Sequence, residues 1–169
     1  MSWPGRRTAL TRRFHHLQIR PGRFTDGTFG LHDAGDSTEV AIAETIHHLT
    51  RTMRATAEPP GCTSQFRAVT GSVDARLDDA SGRDDLLDPD SHTASQIFGA
   101  DRRASGSNGI VWPSVRFAGG NCFAAIWPDV VSIPTIGAHF AYHWDGSDVD
   151  YVKKLDTTKI ISVSYRAAP

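Results

Sequence analysis

The 169-residue sequence has only two cysteines, Cys62 and Cys122, far apart and without a CxxC spacing. That argues against a disulfide framework and a cysteine zinc site, and leaves reduced thiols in a cytosolic protein as the reading. No apolar run approaches the roughly 18 residues that a membrane-spanning helix needs. Neither sign of charge dominates: 18 Lys plus Arg against 19 Asp plus Glu give a formal net charge of -1. The molecule as a whole therefore lacks the electrostatic footprint of a nucleic-acid binder. No GxGxxG joins a strand to a helix, which argues against a Rossmann redox cofactor site, and no HExxH occurs. Eight histidines are present, but His15–His16 and His47–His48 are adjacent pairs, and neighbours on one element point apart. No metal site is expected.

Acids are missing from one end. Arg6, Arg7, Arg12, Arg13, Arg20 and Arg23 all precede the first acid, Asp26. A transit peptide has such a composition, and so does a basic patch for phosphate or an acidic partner; the patch is the reading adopted. An apolar h-region is absent, so a secretory signal is not expected.

What is present suits one globular domain of mixed helix and strand, with 39% hydrophobic residues. "GRFTDGTFG" (22–30) has turn chemistry around Asp26 and Gly27 and suits a hairpin or a loop at a strand edge. "DSTEVAIAETIHHLTRTMRAT" (36–56) is the strongest helix, with Asp36 and Glu39 as a capping box. Ile42, Ile46, Leu49 and Met53 form its apolar stripe, and "EPPG" (58–61) stops it. Val73, Ala75 and Leu77 alternate and predict a strand between 66 and 77. "SGRDD" (81–85) reads as a polar loop. A second helix is expected over 88–104, capped by Asp90 or Ser91, with Ala94, Ile97 and Phe98 on its buried side. "GIVW", "NCFAAIW" and "KIISVSY" (159–165) read as strands.

Two features stand apart from this core pattern. Glu44 lies about 200° around the helix from Ile42, at roughly 100° per residue, on a face shared with His48 and Arg51. A solvated glutamate explains that placement as well as a functional one does. Between the two short strands, "PSVRFAGG" (113–120) interrupts the apolar run. Pro113, Gly119 and Gly120 could make an ordinary turn. Equally, Ser114 could donate a hydrogen bond, Arg116 grip an anion, and the glycines admit a close backbone approach. Cys122 is expected to point into the core rather than to act as a nucleophile.

Several of these stretches together resemble the RES domain family, over about residues 12–146. "GRFTDGTFG" is similar to its arginine motif, with Arg23 as the arginine, and "EVAIAET" to the helix that carries its glutamate, at Glu44. "LLDPDSHTASQ" (86–96) resembles the segment before the second helix, and "YHWDG" (142–146) the closing stretch. The long "GSNGIVWPSVRFAGGNCFAAIWP" (106–128) resembles the serine motif, with Ser114 as the serine. On this resemblance residues 1–11 are a basic N-terminal extension and 12–169 the RES domain.

The resemblance implies a single α+β domain like the ADP-ribosyltransferase toxins, with mixed sheets and flanking helices around an NAD cleft. NAD is then a substrate, and no metal is implied. The implied reaction breaks the nicotinamide–ribose bond by hydrolysis or phosphorolysis, or else transfers ADP-ribose to a cytoplasmic protein. Glu44, Arg23 and Ser114 are the implied catalytic residues. Glu44 would stabilise positive charge on the ribose. Arg23 would hold the pyrophosphate or orient the ribose, Ser114 would bond a ribose or phosphate oxygen, and Arg116 would brace the loop. The family's tyrosine before the glutamate helix is replaced in "GLHDAGDS" (30–37) by His32 or Asp33, according to alignment. Phe29 is a further candidate for that role, and Trp112 stands where the serine motif often has tyrosine. The implied partner is an Xre-like, DNA-binding antitoxin covering the site in the bacterial cytoplasm, with no direct nucleic-acid or membrane contact by this chain.

Overall fold

The structure is a computed structural model that describes residues 21–155 in full and the backbone of strand residues 8–11 and 160–162. The chain is an α+β fold of nine strands and three α-helices among the described residues. It forms two compact units, one from the residues up to Ala41 with Val69–Thr135, the other from Ile42–Ala68 with Ile136 onward.

The first unit holds strands β1 (Thr8–Thr11), β2 (His32–Gly35), β4 (Asp78–Asp79), β5 (Gly109–Pro113) and β6 (Asn121–Ala125), with the end of β3 (Thr63–Ser72). Their order is β4-β5-β6-β2-β1-β3. The extension expected over 1–11 thus lends residues 8–11 to the sheet, where β1 pairs antiparallel with β2 and β3. The remaining arginines of the expected patch before Arg23 lie outside the described residues. β5 and β6 run antiparallel with Trp112 opposite Cys122 and Val111 opposite Phe123.

Alternate side chains on a strand take opposite faces, and here both faces are covered. Ile110, Trp112, Cys122 and Ala124 join Phe24, Val40 and Leu86 in one cluster, while Val111 and Phe123 join Ala34 and Leu77 in another. That is why both strands read as continuous apolar runs. Cys122 is buried, as expected.

Helix α1 (Thr38–Ala55) begins in the first unit and continues into the second. Its cap differs from the expected box. Ser37 Oγ accepts the Val40 N–H at 3.2 Å, while Asp36 accepts a bond from Asn121 Nδ2 at 3.0 Å. The Asp36 carboxylate is used across to β6, so the cap falls to the next residue.

Helix α3 (Thr93–Ala104) follows the short α2 (Asp84–Leu87), which starts inside the expected polar loop. Neither Asp90 nor Ser91 caps α3; their N–H groups bond Asp88 Oδ1, and His92 occupies the cap position. The buried side is also different from the apolar one expected. Ser95 and Gly99 are buried, whereas Ile97 is 62% exposed and Ala94 is exposed; Phe98 is half-buried against the core.

In the second unit the strand order is β3-β7-β8-β9, with β7 (Thr135–Trp144), β8 (Val149–Lys154) and β9 (Ile160–Ser162). β3 starts earlier than the strand expected over 66–77. Beyond its end, Val73 makes only an isolated bridge to Val131. Of the last expected strand, residues 160–162 are seen and 163–165 lie outside the described residues. The α1 stripe Ile42, Ile46, Leu49 and Met53 is buried as its spacing predicts. Tyr142 packs edge-on to Phe66, and burial pushes its hydroxyl up to about 12 despite a bond with Thr45.

The helix exit is tied to the closing stretch. Trp144 is almost fully buried; its indole N–H donates to Glu58 O at 3.0 Å, and its main chain bonds Gly61 and Cys62. Just before this, the Ala57 N–H donates to Arg54 O and the Glu58 N–H to Met53 O, the paired bonds of a Schellman stop. Ala57 sits at φ 52°, the left-handed region that favours glycine. Ala57→Gly should therefore stabilise the protein by about 0.5 kcal/mol, the relief of left-handed strain being partly offset by glycine's freer unfolded chain. A urea unfolding curve beside the parent protein measures it.

Candidate functional site

The arginine segment is a loop, residues 21–31, that leads into β2. Its turn chemistry is local: Asp26 Oδ1 accepts the N–H and hydroxyl of Thr28, and these bonds hold the Asp26 carboxyl below its ordinary value. Thr25 Oγ1 donates to Phe29 O at 2.6 Å and closes the loop. Arg23 is buried, and its Nη1 donates to Leu86 O at 3.1 Å and Asp88 O at 2.9 Å.

Helix α3 lies against the main chain of this segment. Gln96 Nε2 donates to Gly22 O at 3.0 Å, and Ser95 Oγ donates to Arg23 O at 2.6 Å. A Cβ placed on Gly99 would lie 1.9 Å from Phe24 O. No side chain fits there, so glycine is required by the close approach itself. The Phe24 ring turns the other way, onto Trp112 at 4.7 Å between centroids. Trp112 is thus a core residue at 6% exposure, and it links the arginine segment to the strand that precedes Ser114.

The serine loop, 114–120, joins β5 to β6. The Ser114 N–H donates to Gly120 O at 2.9 Å, and Ser114 Oγ accepts the N–H groups of Arg116 at 3.2 Å and Phe117 at 3.1 Å. The serine thereby shapes its own loop, a side-chain-closed turn. Gly119 adopts φ 82°. Gly120 and Gly35 clear the space for Val40: a Cβ on either would come within 2.2 Å or 2.7 Å of its methyl groups. Asp36 and Asn121 complete the junction, the Asp36 N–H donating to Asn121 O at 2.9 Å. The serine loop is therefore seated on the first turn of α1. Arg116 is half-buried, while Val115 and Phe117 are exposed on the loop.

The two alternatives for the missing tyrosine face opposite ways on β2. His32 is buried and Asp33 exposed. Burial lowers the His32 pKa, keeping the imidazole neutral near pH 7. Phe29 is also buried, with the Arg103 guanidinium 4.9 Å from its centroid. Glu44 belongs to the second unit, half-buried on α1. Within the first unit the fold brings together the arginine segment, Trp112, and the serine loop with the start of α1. Among the described residues no group of three or more His, Cys, Asp or Glu could hold a metal. A polar depression of about 450 Å³ lies elsewhere, lined by Arg76, Asp78, Arg102, Ser107 and Asn108, and none of the expected site residues borders it.

The family model of the RES domain matches residues 3–145. The chain belongs to the RES domain family. No curated protein matches it by sequence. A solved structure similar to it is the M. tuberculosis MbcT–MbcA toxin–antitoxin complex: 13% identity, TM-score 0.58, covering 82% of this chain and 85% of that one. That likeness supports the fold. The RES match takes in the arginine segment, the start of α1, Glu44 and the serine loop in one span. Sequence reading misses Ser95, Gln96 and Gly99 because it seeks apolar residues on α3, whereas this face meets a main chain.

Neutral burial of His32 has a thermodynamic consequence. Its folded pKa lies below the ordinary value of 6.5, so below pH 6.5 the unfolded chain binds more protons than the folded one. Stability is then lost as pH falls from about 6.5 toward the depressed folded value. His32→Gln should show a smaller loss of urea midpoint between pH 7.5 and 5.5 than the parent protein; an equal loss would remove His32 from the pH response.

Proposed function

We propose that this chain is the toxin of a toxin–antitoxin pair, and that it acts in the bacterial cytoplasm by cleaving the nicotinamide–ribose bond of NAD. The observation that carries the reading is membership of the RES family over one span that includes Arg23, Glu44 and Ser114. The fold likeness to a chain of a toxin–antitoxin complex supports the first half of it. The antitoxin is read as an Xre-like, DNA-binding protein that covers the site.

The chemistry asks little of the protein in acid catalysis. The bond between ribose and nicotinamide breaks with its electron pair going to the cationic ring, which leaves neutral and needs no proton. What needs support is the positive charge that builds on the ribose. Glu44 is assigned to that charge, and to holding the incoming water or phosphate. Nicotinamide and ADP-ribose, or ADP-ribose 1″-phosphate, are the products.

Arg23 is assigned to the pyrophosphate or the neighbouring ribose. Its buried guanidinium is already oriented through Nη1 by two carbonyls, which favours a preset cation over a mobile one. Ser114 is assigned to a ribose or phosphate oxygen, with Arg116 bracing its loop. A neutral His32 suits a cationic nicotinamide ring better than an imidazolium would. Trp112 supports the site from beneath, through Phe24.

Mass spectrometry of NAD incubated with the purified chain, with and without inorganic phosphate, tests the reading. Nicotinamide should appear with the parent protein and fall by about 100-fold or more with Glu44→Gln, which keeps the shape and removes the charge. The mass of the second product names water or phosphate as acceptor. A folded Glu44→Gln with full turnover would displace Glu44 from its role. Intact NAD throughout would overturn NAD cleavage, and label passing from NAD to one cell protein would replace it with ADP-ribosyl transfer.

A further inference from the structure

The carbonyls of Gly22, Arg23 and Phe24 all meet helix α3, at Gln96, Ser95 and Gly99 in turn. Three consecutive carbonyls of an irregular segment are thereby placed by one helix face. Arg23 is held at both ends by the same stretch of chain. Its carbonyl is bonded by Ser95, and its Nη1 reaches Leu86 O and Asp88 O in the segment that runs into α3.

The Ser95 bond is not the default for a serine near a helix start. Ser95 Oγ also lies 3.0 Å from His92 O, the local partner three residues back that helix serines commonly use. With one proton to give, the hydroxyl makes its shorter contact, 2.6 Å, with Arg23 O, 72 residues away in sequence. Ser95 is fully buried, so loss of that bond leaves a carbonyl with no water to replace it. The Arg23 main chain would then be free to shift toward another donor.

From this geometry we infer that Ser95, backed by Gln96, is a positioning residue for Arg23 in substrate binding. The inference rests on the NAD reading above. It adds that the grip of Arg23 on NAD is set from α3, by a helix whose polar face carries no group of its own into the chemistry. With Arg23 on the pyrophosphate, the grip acts on a part of the substrate that is the same before and during bond breaking. Its loss therefore weakens binding and leaves the chemical step unchanged.

Steady-state NAD cleavage by the full chain, with folding checked by circular dichroism, tests it. Ser95→Ala should raise KM about tenfold with kcat within about twofold, the effect of one lost buried hydrogen bond. In an Arg23→Lys background, which keeps the charge and loses the fork, Ser95→Ala should raise KM little further. A merely structural serine would lower kcat through a smaller folded fraction and would act equally in both backgrounds. Gln96→Ala, at a half-buried position, should move KM in the same direction and decides the matter if Ser95→Ala does not fold. A wild-type KM in the folded variants, or a full effect on top of Arg23→Lys, overturns the positioning role while NAD cleavage stands. A parent protein that neither binds nor cleaves NAD overturns both.

Discussion

Irregular backbone that is buried must still have its carbonyls satisfied, and in this protein that demand falls on residues 22–24. Helix α3 gives Arg23 O and Gly22 O a serine and a glutamine donor, and makes room for Phe24 O with a glycine, where an ordinary amphipathic helix would place leucines. Much else follows from that one contact. The Phe24 carbonyl faces α3, so its ring is directed at Trp112 and the cluster that lies on one face of the sheet. Arg23 turns its guanidinium to the carbonyls of Leu86 and Asp88, fixing the approach to α3. Ile97, displaced from the buried face, is left in solvent.

That contact also marks the limit of what is legible in the sequence. Periodicity reports where apolar side chains meet other apolar side chains. It therefore finds the α1 stripe, with Ile42, Ile46, Leu49 and Met53 all buried, and the paired strands around Val111 and Phe123. It misplaces the buried face of α3, because a helix docked on main chain shows a spacing of small and polar residues. The α1 cap reads as Asp36 for a related reason. Ser37 and Asp36 are equally good caps in isolation, and only the long-range bond to Asn121 decides between them. The alternation of Val73, Ala75 and Leu77 is genuine, but the chain leaves the ladder at Ser72 and delivers Leu77 to the core from the irregular stretch just before β4. Of the site, the serine motif stands out by its glycines, and in the structure they serve different ends. Gly119 is there for its dihedral angle, Gly120 for the space that Val40 fills.

Family membership and fold thus reach the residues from different directions. The RES match covers the arginine, glutamate and serine that the motif resemblance puts forward, and the geometry says how two of them are held. Arg23 and Ser114 are both fixed by main-chain groups, the first by giving protons to carbonyls and the second by receiving them from amides. Side chains held in this way lose little freedom when a ligand arrives, which is the economy that a preorganised site needs.

The Ser114 turn has a chemical corollary. Two amide protons directed at one hydroxyl oxygen occupy its lone pairs and draw electron density from it. Such an oxygen is a poor attacking group, since the electrons it would offer are already engaged. The same polarisation strengthens the hydroxyl proton as a donor. The Ser114 hydroxyl is thus better suited to giving a proton than to attacking, which agrees with its proposed part as a donor to a ribose or phosphate oxygen.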